Sequence, residues 1–387
     1  MKLSVHLKLG LAILLIALVC SFGLTKPQAP SGPPYKIGAI FAITGTASSL
    51  GIPERNTAVM LERMINATGG INGHPLQIIV EDNKSEPAEA VNAAMRLIER
   101  DQVVAIVGPS RTGDSLAVAG VAEREQVPLL SCAAGIDIVE PVRKWVFKTP
   151  QSDRMAVQKI IGYLRPRKIR QVAVISDNSP FGKGGLKEIQ RLMPAAGFSI
   201  VDAQEYGPTD TSMMTQLTKI KAARPQAVIC WGTPPGPATI AKEMKQLAIR
   251  APLICSHGVA NETFLRVAGN AANGVVLPAG RLIVVDQIPP GNRQKKMLQQ
   301  YAGLYRAQFH KNADTFGGHA WDAIQLVVAG LRKVGPDRAK LRDEIERTRG
   351  FVGTGGIFSF SPTEHNGLTK DAFVMVEVVD GEWKLIK

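Results

Sequence analysis

Apolar residues in this chain follow two alternating patterns: short unbroken runs rich in Val, Ile and Ala, and longer stretches in which they recur with helical spacing. The first suits strands buried on both faces of a parallel sheet, the second helices laid over such a sheet. Residues 103–107, Val-Val-Ala-Ile-Val, are apolar throughout, which predicts an interior strand and not an edge. A small polar segment follows, Gly108-Pro-Ser-Arg-Thr-Gly-Asp-Ser. Leu116, Ala119/Gly120 and Ala122 then mark one face of a helix, and Val127-Pro-Leu-Leu-Ser-Cys-Ala-Ala-Gly is the next strand and its loop.

The alternation extends in both directions. Upstream, the pattern predicts a strand over 35–43, a flexible polar loop over 44–51, and a helix over 55–66 with Ala58, Leu61, Met64 and Ile65 on one stripe. Gly69-Gly70 ends that helix. A strand over 75–81 follows, then a helix capped by Ser85 that carries Pro87 in its first turn and turns Val91, Ala94, Met95 and Ile98 inward. Downstream, strands are expected over 172–176, 198–203, 227–231 and 252–255, with helices after the loop 177–182 as far as 193, over 211–223 and over 238–247. Residues 373–379 and 383–386 form a closing hairpin around Asp380-Gly381. Strands alternating with helices imply an α/β fold, and 387 residues exceed one ordinary core, so two lobes are expected.

In an open parallel sheet, loops at the carboxyl ends of strands bind ligands, and a helix N-terminus there offers free N–H groups to an anion. Ser110, Thr112 and the loop Ser131, Cys132, Ala133, Ala134, Gly135 are therefore expected to hold the acidic end of a small ligand. Ordinary βα turns use the same Gly, Ser and Thr for backbone reasons. In the second half, the loop Asp177-Asn-Ser-Pro-Phe-Gly would bring Asp177 as a polar contact, and Phe181 and Trp231 would supply apolar ones.

The amino end changes the picture of where the chain works. Lys2 and Lys8 precede an apolar run over 9–19, and Ser21-Phe22-Gly23 supplies small residues, which together predict a secretory signal over 1–23. The run is short for a bilayer span, and Val19 disfavours a lipid anchor on Cys20. Residues 24–35 are a loose, proline-rich leader. Formal net charge is +13, of which residues 1–23 carry two lysines and no acid, leaving +11 on an exported chain. Without an aromatic-interleaved basic stripe, this charge reads as a solvated surface and not as a nucleic-acid site. Cys132, Cys230 and Cys255 remain beyond the signal, with no Cys-x-x-Cys among them. Cys230 and Cys255 each end a strand and could bond across neighbouring strands; buried free thiols are the expectation.

The motifs of catalysis are missing. The first βα loop is not Gly-x-Gly-x-x-Gly, no Walker lysine motif occurs, and Gly353–Gly356 follows a helix instead of a strand. Ser110 lacks the Gly-x-Ser-x-Gly setting of a nucleophile elbow, and the six histidines include no His-Glu-x-x-His. Binding without turnover, with no cofactor and no metal, is the expectation.

Several signals in order, namely Thr44-Gly45 with its polar loop, Asn66-Ala-Thr-Gly-Gly-Ile-Asn-Gly, Asp82, Pro87-Ala-Glu-Ala and Ile106-Val-Gly-Pro, resemble the Leu/Ile/Val-binding family of periplasmic receptors for ABC importers. The resemblance runs from about Lys36 to the carboxyl terminus. It implies two Rossmann-like lobes with parallel sheets joined by a three-stranded hinge, 36–149 with 280–369 and 150–279 with 370–387. It also implies closure over a small ligand and, as partner, a membrane permease. A monomeric receptor is expected; a sensor signalling to a membrane partner is the alternative, and an exported α/β hydrolase is disfavoured by the missing elbow. By resemblance Thr112 takes the place of a carboxylate-binding serine, Ala133 that of a backbone contact, Gly135 that of a threonine, Phe181 that of a tyrosine and Leu50 that of an aromatic lid. His257 stands where the family has the acid that pairs with an ammonium. Losing that acid and two hydroxyls would leave a buried ammonium unpaired. The expected ligand is therefore a small carboxylate, either an amino acid or, as these departures favour, an amine-free acid with an apolar or aromatic body.

Overall fold

A computed structural model describes residues 29–386. The expected signal segment, Cys20 and the start of the leader lie outside the described residues. The first sheet contains β1 (Tyr35–Phe41), β2 (Leu76–Asp82), β3 (Ala105–Val107), β4 (Leu129–Ser131) and β5 (Val146–Lys148), all parallel, in the order β2-β1-β3-β4-β5. Helices α1 (Ser48–Ala67), α2 (Pro87–Met95) and α3 (Thr112–Glu125) connect its strands. β3 is interior, as its unbroken apolar run requires, and Val103 and Val104 remain buried just ahead of it.

After helix α4 (Asp153–Leu164) the pattern repeats in a second sheet. Strand β6 (Gln171–Asp177), helix α5 (Pro180–Ala195), strand β7 (Ser199–Tyr206) and helix α6 (Met214–Ala222) come first. Strand β8 (Ala227–Trp231), helix α7 (Gly236–Gln246), strand β9 (Leu253–Cys255), helix α8 (Glu262–Ala268) and strand β10 (Val276–Gly280) complete the parallel part. The chain then supplies α9 (Lys295–Phe309), α10 (Thr315–Val334) and α11 (Arg338–Glu346), and α10 packs along α1 in the core of the first sheet. A small ribbon, β11 (Phe351–Val352) with β12 (Ile357–Phe358), precedes β13 (Phe373–Val379) and β14 (Glu382–Leu385), which add antiparallel to β10. Two lobes result, each a doubly wound sheet whose strand order reverses between two neighbours: β1 and β3 in one, β6 and β8 in the other. Ligands bind at such switch points.

Several sequence expectations are corrected locally. The loop after β1 is shorter than expected because α1 begins at Ser48, with Pro53 inside the helix in its second turn. Ser85 caps nothing: its Oγ accepts from Ala47 N–H at 3.0 Å and donates to Thr44 O at 2.8 Å, tying the loop after β1 to the loop after β2. On α2, Ala90, Ala93 and Ala94 are buried and Val91 and Met95 only half-buried. On α3, Gly120 is exposed and Leu116 half-buried, while Val118 and Val121 join Ala119 and Ala122 in the core. The face is rotated from the expected one. Cys230 and Cys255 are register partners on β8 and β9, and both thiols are free and buried. Among the described residues no helix is long and apolar enough to cross a membrane.

Candidate functional site

The loops after β3 and β4 meet those after β6, β8 and β9 around an inner cavity of about 40 Å³. From the first lobe Leu50, Ser110, Thr112, Cys132 and Ala134 line it; from the second, Phe181, Thr233, His257 and Gly258. Pro150, at the passage between the lobes, and Phe316 and His319, on the first turns of α10, complete the wall. An outer cleft continues from it between Thr46, Ala47 and Arg111 on one side and Asp177, Ser179 and Pro208 on the other.

The expected residues divide. Leu50, Ser110, Thr112, Ala134, Phe181 and His257 share the cavity. Ser131 does not: its fully buried Oγ lies 2.7 Å from Ser115 Oγ and accepts from Ala133 N–H at 3.1 Å, so it braces its own loop. Ala133 packs into the core beneath, and Gly135 stands behind Thr112, donating its N–H to Thr112 Oγ1 at 3.2 Å. Asp177 faces the outer cleft and is taken up by its own loop, with Oδ1 accepting from Ser179 N–H at 3.0 Å; burial raises its pKa. Trp231 is fully buried and lines neither space. Its ring backs Phe181 and His257, at centroid distances of 6.1 and 6.0 Å. β8 is interior, and the indole joins the core that covers one face of its sheet.

The polar groups of the cavity are unusual in what they lack. Neither ring nitrogen of His257 has a hydrogen-bond partner among the described residues, nor has Nδ1 of His319. Burial, with Lys148 close by, pushes both imidazoles down to about 3, so both are neutral. Lys148 is itself fully buried, donating from Nζ to Pro150 O at 2.6 Å, and burial lowers its pKa. No aspartate or glutamate lines the inner cavity. Behind it lies Glu54, one turn along α1 from Leu50, to which Ser110 Oγ is hydrogen-bonded; burial holds its carboxyl well above the usual range. His319, Phe316 and Glu54 escaped the sequence reading. Phe316 and His319 stand three apart at a helix start, one face of which they share, and that spacing was their only sign.

Two doubly wound lobes thus bring the loops at their switch points together around one cavity. The profile of the periplasmic binding protein family matches residues 34–382, and the chain belongs to that family. A leucine-, isoleucine-, valine-, threonine- and alanine-binding protein of Pseudomonas aeruginosa is 23% identical over 325 residues, 83% of this chain and 84% of the relative. An extracellular ligand-binding receptor of Rhodopseudomonas palustris superposes with a TM-score of 0.86 at 25% identity, covering 91% of this chain and 99% of that one. A type 1 periplasmic binding protein of Bordetella pertussis does so with a TM-score of 0.83 at 22% identity, over 91% and 99% of the two chains. The fold is thus that of the type I periplasmic binding proteins, of the kind that serves branched-chain amino acid ABC transporters.

Proposed function

We propose that this chain is the exported receptor of an ABC importer, acting as a monomer without catalysis, and that it closes its lobes over a small carboxylate with an apolar or aromatic body and no α-amine. The observation that carries this reading is the set of side chains on the cavity wall: neutral His257 with neither ring nitrogen bonded, neutral His319 with Nδ1 unbonded, and no acid. An ammonium buried there would find no counter-charge, at a cost of several kcal/mol. A carboxylate would meet Thr112 at the start of α3, where the helix end favours negative charge. Leu50, Phe181 and Phe316 would enclose its body. The relative from Pseudomonas is named for free amino acids, so this chain would depart from it in ligand and not in fold.

The lobes divide in this reading into 36–149 with 280–369 and 150–279 with 370–387; the ends of β5 at Lys148 and β10 at Gly280 and the start of β13 at Phe373 support those bounds. At about 40 Å³ the inner cavity holds little more than a water or two, so entry needs the lobes to part. The closed surface would then dock on a permease. Titration calorimetry of leucine, benzoate and branched aliphatic acids tests the ligand class. Binding of an acid with leucine silent is expected; tight leucine binding with no acid bound refutes it.

A further inference from the structure

Ser110 reaches the cavity with an oxygen that is already engaged twice. Its Oγ accepts from Ala42 N–H at 3.0 Å and is paired with Glu54 Oε2. Glu54 is wholly buried, and its Oε1 has no partner among the described residues. The ionisable neighbours it meets are Asp314, which caps α10, and the Cys132 thiol beyond the end of β4; Tyr301 of α9 follows one turn along α1, bonded to Thr57. None of these is a cation, and Asp314 adds a like charge. An ionised Glu54 would thus be a buried anion held by one hydroxyl, which is costly.

A hydroxyl has one proton and two acceptor lone pairs. If Glu54 is the neutral acid, its O–H donates to Ser110 Oγ, the second lone pair takes Ala42 N–H, and the Ser110 proton is left for the cavity that Ser110 lines. If Glu54 is ionised, the Ser110 proton turns back to it, and a lone pair faces the ligand. The first arrangement attracts a carboxylate and the second repels it. We infer that Glu54 is a positioning residue, a carboxylic acid kept protonated so that Ser110 presents its O–H to a bound anion. This rests on the carboxylate reading above for its consequence in binding, and on the protein alone for the state of Glu54.

Infrared difference spectra of the ligand-free protein, wild type minus Glu54→Gln, test the state directly at neutral pH. The carbonyl stretch of a protonated carboxylic acid, lost in Glu54→Gln and shifted in Ser110→Ala, is expected; its absence overturns the inference whichever acid binds. Should Glu54→Gln not fold, the shift in Ser110→Ala decides. In titrations with benzoate, Glu54→Met is expected to weaken binding about tenfold, with Glu54→Gln, still a donor, recovering most of it. Wild-type affinity should also fall on the alkaline side, and Glu54→Gln should lack that limb. Equal loss in Gln and Met, or the same alkaline limb in Gln, overturns the inference. A wild type that shows the infrared band yet binds no benzoate removes the ligand reading and keeps the protonated Glu54.

Discussion

A Cβ placed on Gly135 would lie 2.3 Å from Thr112 Cγ2, and the Gly135 N–H already donates to Thr112 Oγ1 at 3.2 Å. The methyl group that distinguishes Thr112 from serine occupies the space a side chain at 135 would need. If the resemblance carries over at these two positions, threonine for serine at 112 and glycine for threonine at 135 would be one exchange of volume across the loops after β3 and β4. Gly135→Ala should push Thr112 out of position and weaken binding of benzoate about tenfold. Thr112→Ser in the same chain should restore most of that loss. Calorimetric titration of the single and double variants checks it, and additive losses would show the two sites to be independent.

The histidines give a pH dependence whose sign differs from simple charge attraction. His257 and His319 are neutral in the closed cavity, each pushed from 6.5 to about 3 by burial and by Lys148. Parting the lobes would return them to water and to ordinary values. A pKa lowered in the closed form means that protons favour the open one. The histidine contribution is then complete above about pH 6.5, where only the alkaline limb of Glu54 remains, and affinity falls as acid approaches the lower value, roughly tenfold or more between about pH 7 and about pH 5. Were the imidazoles cationic partners of the carboxylate, acid would strengthen binding instead. His319→Asn should reduce the slope, and titrations across pH read it.

Two ion pairs tie the segment between β4 and β5 to helices α4 and α5 of the second lobe. Arg154 of α4 donates to Glu140 at 2.7 and 2.8 Å while also holding Glu188 of α5, and Lys187 of α5 meets Asp137 at 3.0 Å. These side chains are a third to two-thirds exposed apart from Glu188, so each cross-lobe pair is worth at most about 1 kcal/mol. Glu140→Gln should weaken benzoate binding by roughly two- to fivefold at low salt. The difference should shrink in concentrated salt, where screening falls to a few Å. A defect that persists in high salt would mean the carboxylate acts through packing.

What the sequence made legible, and what it hid, follows from how each residue reaches the site. The runs at β1, β3, β6 and β8 announced interior strands because a strand buried on both faces has no polar position to spare. Those strands fixed where their loops lie, which is why Ser110, Thr112, Phe181 and His257 converge. Ser131 and Trp231 stand on equally suitable loops and strand ends, yet one turns its hydroxyl to Ser115 and the other its ring into the core. A strand's period sets the face, but the first residues past its end are free of that period. Glu54 and His319 arrive from helices α1 and α10, packed together across the whole first lobe, and no local pattern records such a meeting.

Trp231 gives the last prediction. Gly185 of α5 lets that helix lie directly on the indole: a Cβ there would fall 2.1 Å from Trp231 Nε1. The nitrogen has no hydrogen-bond partner among the described residues, so the ring is held by fit alone. Gly185→Ala would force the indole toward Phe181 and His257, which it backs at 6.1 and 6.0 Å. Overpacking of this kind costs about 1–3 kcal/mol, read as a lower urea midpoint with an unchanged slope. Because the displaced ring presses on two residues that line the cavity, benzoate affinity should fall as well. Trp231→Phe in the Gly185→Ala background relieves the contact without orphaning a donor and should recover affinity more fully than stability, since the smaller ring leaves a void in the core. Recovery of neither would place the damage of Gly185→Ala in α5 itself and detach Trp231 from the site.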